Sequence, residues 1–223
     1  MKAKDDSIKN KQPWPTKDAM KQIYEMRLWG GAADYYSGEG SHHPTLVAPY
    51  VEAVSSFLAT FERPITVCDL GCGDFNVGKE LVQYTKKYIA VDIVQELVAR
   101  NKEKFKAENL VFQCLDIAEN DLPIADCAIV RQVLQHLSNA EIQRIASKFS
   151  NYSYVIVTEH LPEGDFIPNV DIISGQGIRL KKKSGVNLLA PPFNLKVKQV
   201  EELMSIAAID GNGIVLTTMY YFN

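Results

Sequence analysis

The stretch Val67-Cys68-Asp69-Leu70-Gly71-Cys72-Gly73-Asp74-Phe75 limits what this chain can fold into more than any other part of its 223 residues. Its apolar start reads as a strand and helical periodicity resumes just beyond it, so the two glycines fall in a tight strand-to-helix turn. Without a Cβ, Gly71 and Gly73 let the backbone turn sharply. They also let a ligand approach the helix N-terminus, where unpaired N–H groups favour a carboxylate or phosphate. Asp92 closes the next apolar run, where a carboxylate can accept both hydroxyls of a ribose. The pair indicates a nucleoside-containing cofactor. A dinucleotide fingerprint needs a further glycine where this chain has Asn76, which disfavours a nicotinamide cofactor.

From residue 65 onward short apolar runs alternate with helical segments, the pattern of βαβ units and a parallel sheet. The spacing predicts strands at 65–70, 87–92, 110–114, 127–132 and 153–158, with helices near 77–85, 94–106 and 139–149. A capping box from Ser138 to Glu141 fixes the start of the last helix. Upstream, one helix is predicted from Thr16, as N-cap, to the Gly30-Gly31 stop, and another from Pro44 to about Phe61. Between them lies a glycine-rich loop. Residues 162–195 carry Gly and Pro with little periodicity, which predicts a lid or binding loop. A helix near 196–206, a turn at Gly211-Asn212-Gly213 and an alternating strand over 214–222 complete the expectation.

At the glycine turn the sequence resembles the class I S-adenosylmethionine-dependent methyltransferases, whose first motif, D-x-G-x-G, is matched by Asp69, Gly71 and Gly73, with Phe75 where a small residue is usual. The resemblance covers roughly residues 64–160. It implies an α/β, Rossmann-like three-layer sandwich around a mostly parallel seven-stranded sheet with an antiparallel terminal strand. The strand order would be 3-2-1-4-5 plus a terminal antiparallel pair. The expected division is a tail over 1–15, capping helices and a lid loop over 16–62, and the methyltransferase core over 63–223. The resemblance further implies that Asp69, Gly71, Cys72, Gly73, Asp92 and Ile93 hold S-adenosylmethionine, that Leu115, Asp116 and Ile117 border its adenine, and that Arg131 and Gln132 lie beside its methionine part.

An acceptor hydroxyl must lose a proton as it is methylated, and histidine titrates near neutrality, so His136, His160 and Glu159 beside it are the candidate bases. Tyr35, Tyr36, His42 and Arg179 are the candidate acceptor contacts. The formal net charge of −3 creates no global field for nucleic acid, which favours a small-molecule acceptor methylated on oxygen. An RNA or tRNA methyltransferase using the basic run 179–183, or a non-catalytic cofactor-binding module, are the alternatives. No CxxC pair occurs and the His42-His43 pair is explained by helix entry at Pro44, so no metal is expected. The polar N-terminus and the lack of 18 consecutive apolar residues predict a soluble cytoplasmic protein without a membrane span.

Overall fold

Strands β1 (Thr66–Leu70), β2 (Lys87–Asp92), β3 (Leu110–Cys114), β4 (Cys127–Arg131), β5 (Tyr154–Leu161), β6 (Gln199–Ala207) and β7 (Ile214–Tyr221) form one sheet in the order β3-β2-β1-β4-β5-β7-β6. The computed structural model describes residues 13–31 and 34–222; the first twelve residues of the expected tail lie outside the described residues. Strands β1 to β5 pair in parallel, and β7 runs antiparallel to both β5 and β6. Strand order reverses between β1 and β4, and open α/β sheets bind ligands at the carboxyl ends beside such a point.

The central strands are apolar because both faces are covered: every residue of β4, and every residue of β1 except Thr66, is buried. On one face, Met20 and Ile23 of α1 (Thr16–Glu25), Leu97 of α4 (Gln95–Lys104) and Ile142 and Ile145 of α5 (Asn139–Ala146) pack together with Val130 and Val157. On the other, Leu46, Tyr50, Val54 and Leu58 of α2 (Pro44–Leu58) and Leu81 of α3 (Gly78–Leu81) pack with Val67 and Ile129. The helical spacing of these residues turns each helix's apolar side to the sheet. The capping box of α5 is present, with Ser138 Oγ accepting from the Glu141 amide, a cap worth about 1 kcal/mol. Two starts differ from expectation. Pro15, not Thr16, precedes α1, and α3 is shorter than the predicted 77–85, continuing as a 3-10 turn over Val82–Tyr84.

The predicted helix over 196–206 is strand β6. It pairs with β7 from Gln199↔Tyr221 to Ala207↔Ile214, with a register shift between Glu202 and Met204. A short run such as Val200, Leu203 and Ile206 fits either period, and long-range pairing decides it. As the sheet's edge, β6 presents exposed Glu201 and Glu202, which discourage pairing with another chain. The irregular segment 162–195 is riveted from within. Buried Arg179 donates to the carbonyls of Leu134, Leu137 and Val170 at 3.1, 2.7 and 3.1 Å and to Asn139 Oδ1 at 2.7 Å. Among the described residues no helix is long and apolar enough to cross a membrane.

Candidate active site

A cavity of about 570 Å³ opens at the carboxyl ends of the parallel strands. Gly71, Cys72 and Gly73 after β1, Asp92 and Ile93 at the end of β2, Leu115, Asp116 and Ile117 after β3, and Arg131 and Gln132 at the end of β4 all line it. The turn is built by its glycines. Gly71 and Gly73 have φ of 88° and 56°, and a Cβ on either would come within 2.4 Å of Val133 Cγ2 or Ser37 Oγ. Asp92 accepts from the Gly73 and Val94 amides, each at 3.0 Å, and burial raises its pKa against the pull of those amides. Lys148 gathers the carbonyls of Ile117, Ala118 and Asn120, which holds the turn after β3 in place. A buried carboxylate beside a glycine cradle, with Ile93, Leu115 and Ile117 as apolar neighbours, fits the ribose and base of a nucleoside cofactor.

An arm formed by residues 34–43 crosses the opening. Asp74 anchors it: Oδ2 accepts from the Ser37 amide at 2.8 Å and from His42 Nε2 at 2.6 Å, and the Asp74 amide donates to Ser37 Oγ at 2.8 Å. Tyr24 of α1 meets Ser37 Oγ at 3.0 Å. At the arm's start Asp34 is paired with Arg100, which holds its carboxyl well below the usual range. Arg131 ties the other end, donating to the Gly40 carbonyl at 2.6 Å while its guanidinium lies 4.8 Å from the centre of the Tyr50 ring. Gln132 takes a left-handed φ of 55°, and a Cβ on Gly40 would fall 2.1 Å from its Oε1, so the arm passes over this side chain at a glycine and a larger residue would displace the Gln132 amide.

The two histidines differ. His136 donates from Nδ1 to the Gly175 carbonyl at 3.2 Å, its Nε2 faces Gln135 Nε2 at 3.3 Å, and its ring packs on Trp29. Burial lowers its pKa to about 4, so it is neutral near physiological pH. His160 is half-buried and lines the cavity; its Nε2 lies 2.7 Å from the Asn212 carbonyl. A carbonyl only accepts, so the proton sits on Nε2 and neutral His160 keeps a lone pair on Nδ1.

Several predicted residues lie elsewhere. Glu159 is buried outside the lining of this cavity, neither carboxyl oxygen has a partner in hydrogen-bond geometry among the described residues, and burial, opposed by Arg179 and the nearby 134–135 backbone, pushes its pKa up to about 8. Arg179 is not an acceptor contact, because its guanidinium is consumed by the carbonyls described above. Tyr35 packs on Tyr24, and Tyr36 stacks on His42 and donates to Glu39, so none of Tyr35, Tyr36 and His42 faces the cavity. Asp69 lies behind the turn in a separate cavity of about 30 Å³ with Tyr50 and Arg131; it accepts from Tyr88 Oη at 2.9 Å, and burial raises it to about 7. The cavity lining that sequence reasoning missed comprises Tyr24, Trp29, Ser37, Gln135, Lys181 and Ile209. The first two stand near the helix stop as apolar residues, and only their aromatic character signalled a site.

Residues 67–152 match the family model of a methyltransferase domain. No curated protein matches the chain. Among solved structures, the fold is similar to the N-methyltransferase NodS from Bradyrhizobium japonicum WM9 in complex with S-adenosyl-l-homocysteine, with a TM-score of 0.69 and 12% identity over 92% of this chain and 98% of that one. It is also similar to the 1,6-didemethyltoxoflavin-N1-methyltransferase of Burkholderia thailandensis, at 0.57 and 15% over 93% and 87%. A third, the cyclase SpnF, gives 0.57 and 14% over 94% and 97%. At these identities the likeness shows the fold.

Proposed function

We propose that this chain, which belongs to the class I S-adenosylmethionine-dependent methyltransferases, methylates a small molecule and uses His160 to take the acceptor's proton. One observation carries the reading. The glycine turn, Asp92 and His160 line the same cavity, so a donor and an acceptor bound there share one space.

When bound, S-adenosylmethionine supplies a methyl group already activated on a sulfonium. The protein has then to align an acceptor, exclude water and receive a proton. Asp92 is placed to accept from the ribose hydroxyls, while the amides of the 71–73 turn are spent within the protein, Gly71 and Cys72 donating to the Val91 carbonyl and Gly73 to Asp92, so the turn offers the donor a close backbone surface. Tyr24 and the arm cover the donor side. Gln132, held in its left-handed conformation under Gly40, lines the cavity beside Arg131, which donates to its Oε1 at 3.3 Å. His160, braced by the Asn212 carbonyl, presents Nδ1 to a hydroxyl or amine and takes its proton as the new bond forms and the carbon–sulfur bond breaks. Oxygen is the preferred nucleophile, because a neutral hydroxyl gains most from such a base.

The deciding measurement is isothermal titration with S-adenosylmethionine and S-adenosylhomocysteine, with NAD as control. Both sulfur compounds should bind at micromolar strength, NAD should not, and Asp92→Ala should weaken binding at least tenfold. Binding of NAD alone would sink the assignment. The likeness to a cyclase favours one second reading, a cofactor-loaded scaffold without methyl transfer; labelled methyl remaining on the donor with every acceptor tried would support it.

A further inference from the structure

The acceptor side of the cavity has a hydrogen-bonding inventory that selects a substrate class. At its mouth the carboxylates are already engaged. Asp210 accepts from the Asn212 amide at 3.1 Å and from its side chain at 3.3 Å, and Glu39 accepts from Tyr36 Oη. Gln176 donates to the Leu28 carbonyl. Lys181 also lines the cavity, and its ammonium makes no hydrogen bond or ion pair among the described residues. It is carried by the 3-10 turn Arg179–Lys182, which the buried Arg179 fastens to the 134–137 segment, so the charge is delivered from a fixed base. The walls contributed by Ile178, Ile209 and Val215 are apolar, and Ile209 is left 44% exposed.

We infer that the acceptor is a small organic acid with an apolar body, its carboxylate received by Lys181 and its protonated nucleophile, a separate hydroxyl or amine, turned to His160. This rests on the methyl-transfer reading above. Lys181 and His160 differ in kind, a cation and a basic nitrogen, and each needs a different partner on the substrate. Lys181 is exposed, and its ammonium takes an oxyanion as a charge-assisted partner. A phosphate dianion would leave a negative charge uncompensated next to Asp210 and Glu39, so a singly charged carboxylate is the match. The carboxylate is not itself the methylated group, because it carries no proton for His160 to remove. Transfer forms a carbon–oxygen or carbon–nitrogen bond on the other group, and the released proton moves to Nδ1.

The test uses three probes of one shape, meta-hydroxybenzoate, meta-hydroxybenzyl alcohol and meta-hydroxybenzylamine, titrated into full-length protein saturated with S-adenosylhomocysteine. The acid should bind about tenfold or more tighter than the alcohol, equivalent to about 1.4 kcal/mol, and the amine more weakly than either. Lys181→Met should erase that order and Lys181→Arg should keep it. Equal binding of acid and alcohol, no binding of any probe, or an order that survives Lys181→Met would overturn the inference. Titration of S-adenosylhomocysteine comes first. If it does not bind, the methyl-transfer reading fails; if it binds and the acid shows no advantage, only the substrate class fails.

Discussion

Around His136 the hydrogen bonds close on one another, with Nδ1 reaching the Gly175 carbonyl, Nε2 facing the Gln135 amide and the ring packed on Trp29. Around His160 they stop halfway: Nε2 is braced on the Asn212 carbonyl, Nδ1 keeps a lone pair, and the ammonium of Lys181, which lines the same cavity, is unpaired among the described residues. The first lies past the end of β4 and the second at the carboxyl end of β5, and both hold a histidine. The difference teaches that residue type selects candidates while unspent hydrogen-bonding capacity separates a group that acts from one that supports.

The largest expected effect breaks the open region. His160→Ala should lower kcat by about a hundredfold or more, the usual contribution of a general base, with little change in KM for S-adenosylmethionine. His136, held near 4, changes charge far below neutrality, so a His136 variant should leave the pH profile of kcat near neutrality unaltered. An unaltered rate in His160→Ala would erase the contrast altogether.

Next comes the closed region. His136→Ala should lower Tm by several degrees, through lost packing on Trp29 and the freed Gly175 and Gln135 groups, with kcat down tenfold at most. A hundredfold loss of kcat without thermal destabilisation would reverse the two roles.

The closed region has one flaw, which sharpens the comparison. Glu159 has both oxygens buried and without a hydrogen-bond partner among the described residues, and its carboxyl is pushed from an ordinary 4.5 up to about 8 by burial. The unfolded chain sheds this proton first. The stability contribution is therefore complete below about pH 4.5 and is lost as pH rises to about 8. Glu159→Gln should raise Tm by a few degrees at pH 8 and by almost nothing at pH 5, as read by thermal scans at both values. An equal shift at the two would rule out titration as the cause. The smallest effect belongs to the arm: Gly40→Ala pushes against the flexible end of Gln132 and should cut kcat/KM for the acceptor roughly three- to tenfold, leaving donor affinity alone.

What the sequence disclosed follows from how local each signal is. Strands β1 to β5 and the turn at Gly71 and Gly73 were legible because each is a run of neighbours with its own period. Strand β6 was not, because its partner β7 alone chooses between helix and strand. The donor side of the cavity follows directly from strand ends, so Asp92, Ile117, Arg131 and Gln132 could be named in advance. The acceptor side collects Gly40, Gln135, His160, Lys181 and Ile209 from stretches far apart in the chain. Arg179 and Lys181 show the limit well. A basic group from this run does reach the cavity, yet the direction of a four-residue turn decides which one is buried as a rivet and which faces inward.

The tip of the β6–β7 hairpin has a consequence for how such an enzyme changes its taste. Residues 208–210 touch the cavity beyond the last paired positions, Ala207 and Ile214, so their side chains can be exchanged without disturbing the register of the sheet. The brace on His160 is a backbone carbonyl, which survives any side chain at position 212. The constrained positions are the glycines: a Cβ on Gly213 would lie 2.0 Å from the Leu161 carbonyl oxygen, and Gly211 has a left-handed φ of 70°. On the proposal that His160 takes the proton, substrate preference is uncoupled from it: positions 209 and 210 can be rewritten for a new acceptor while the backbone brace on His160 is inherited intact.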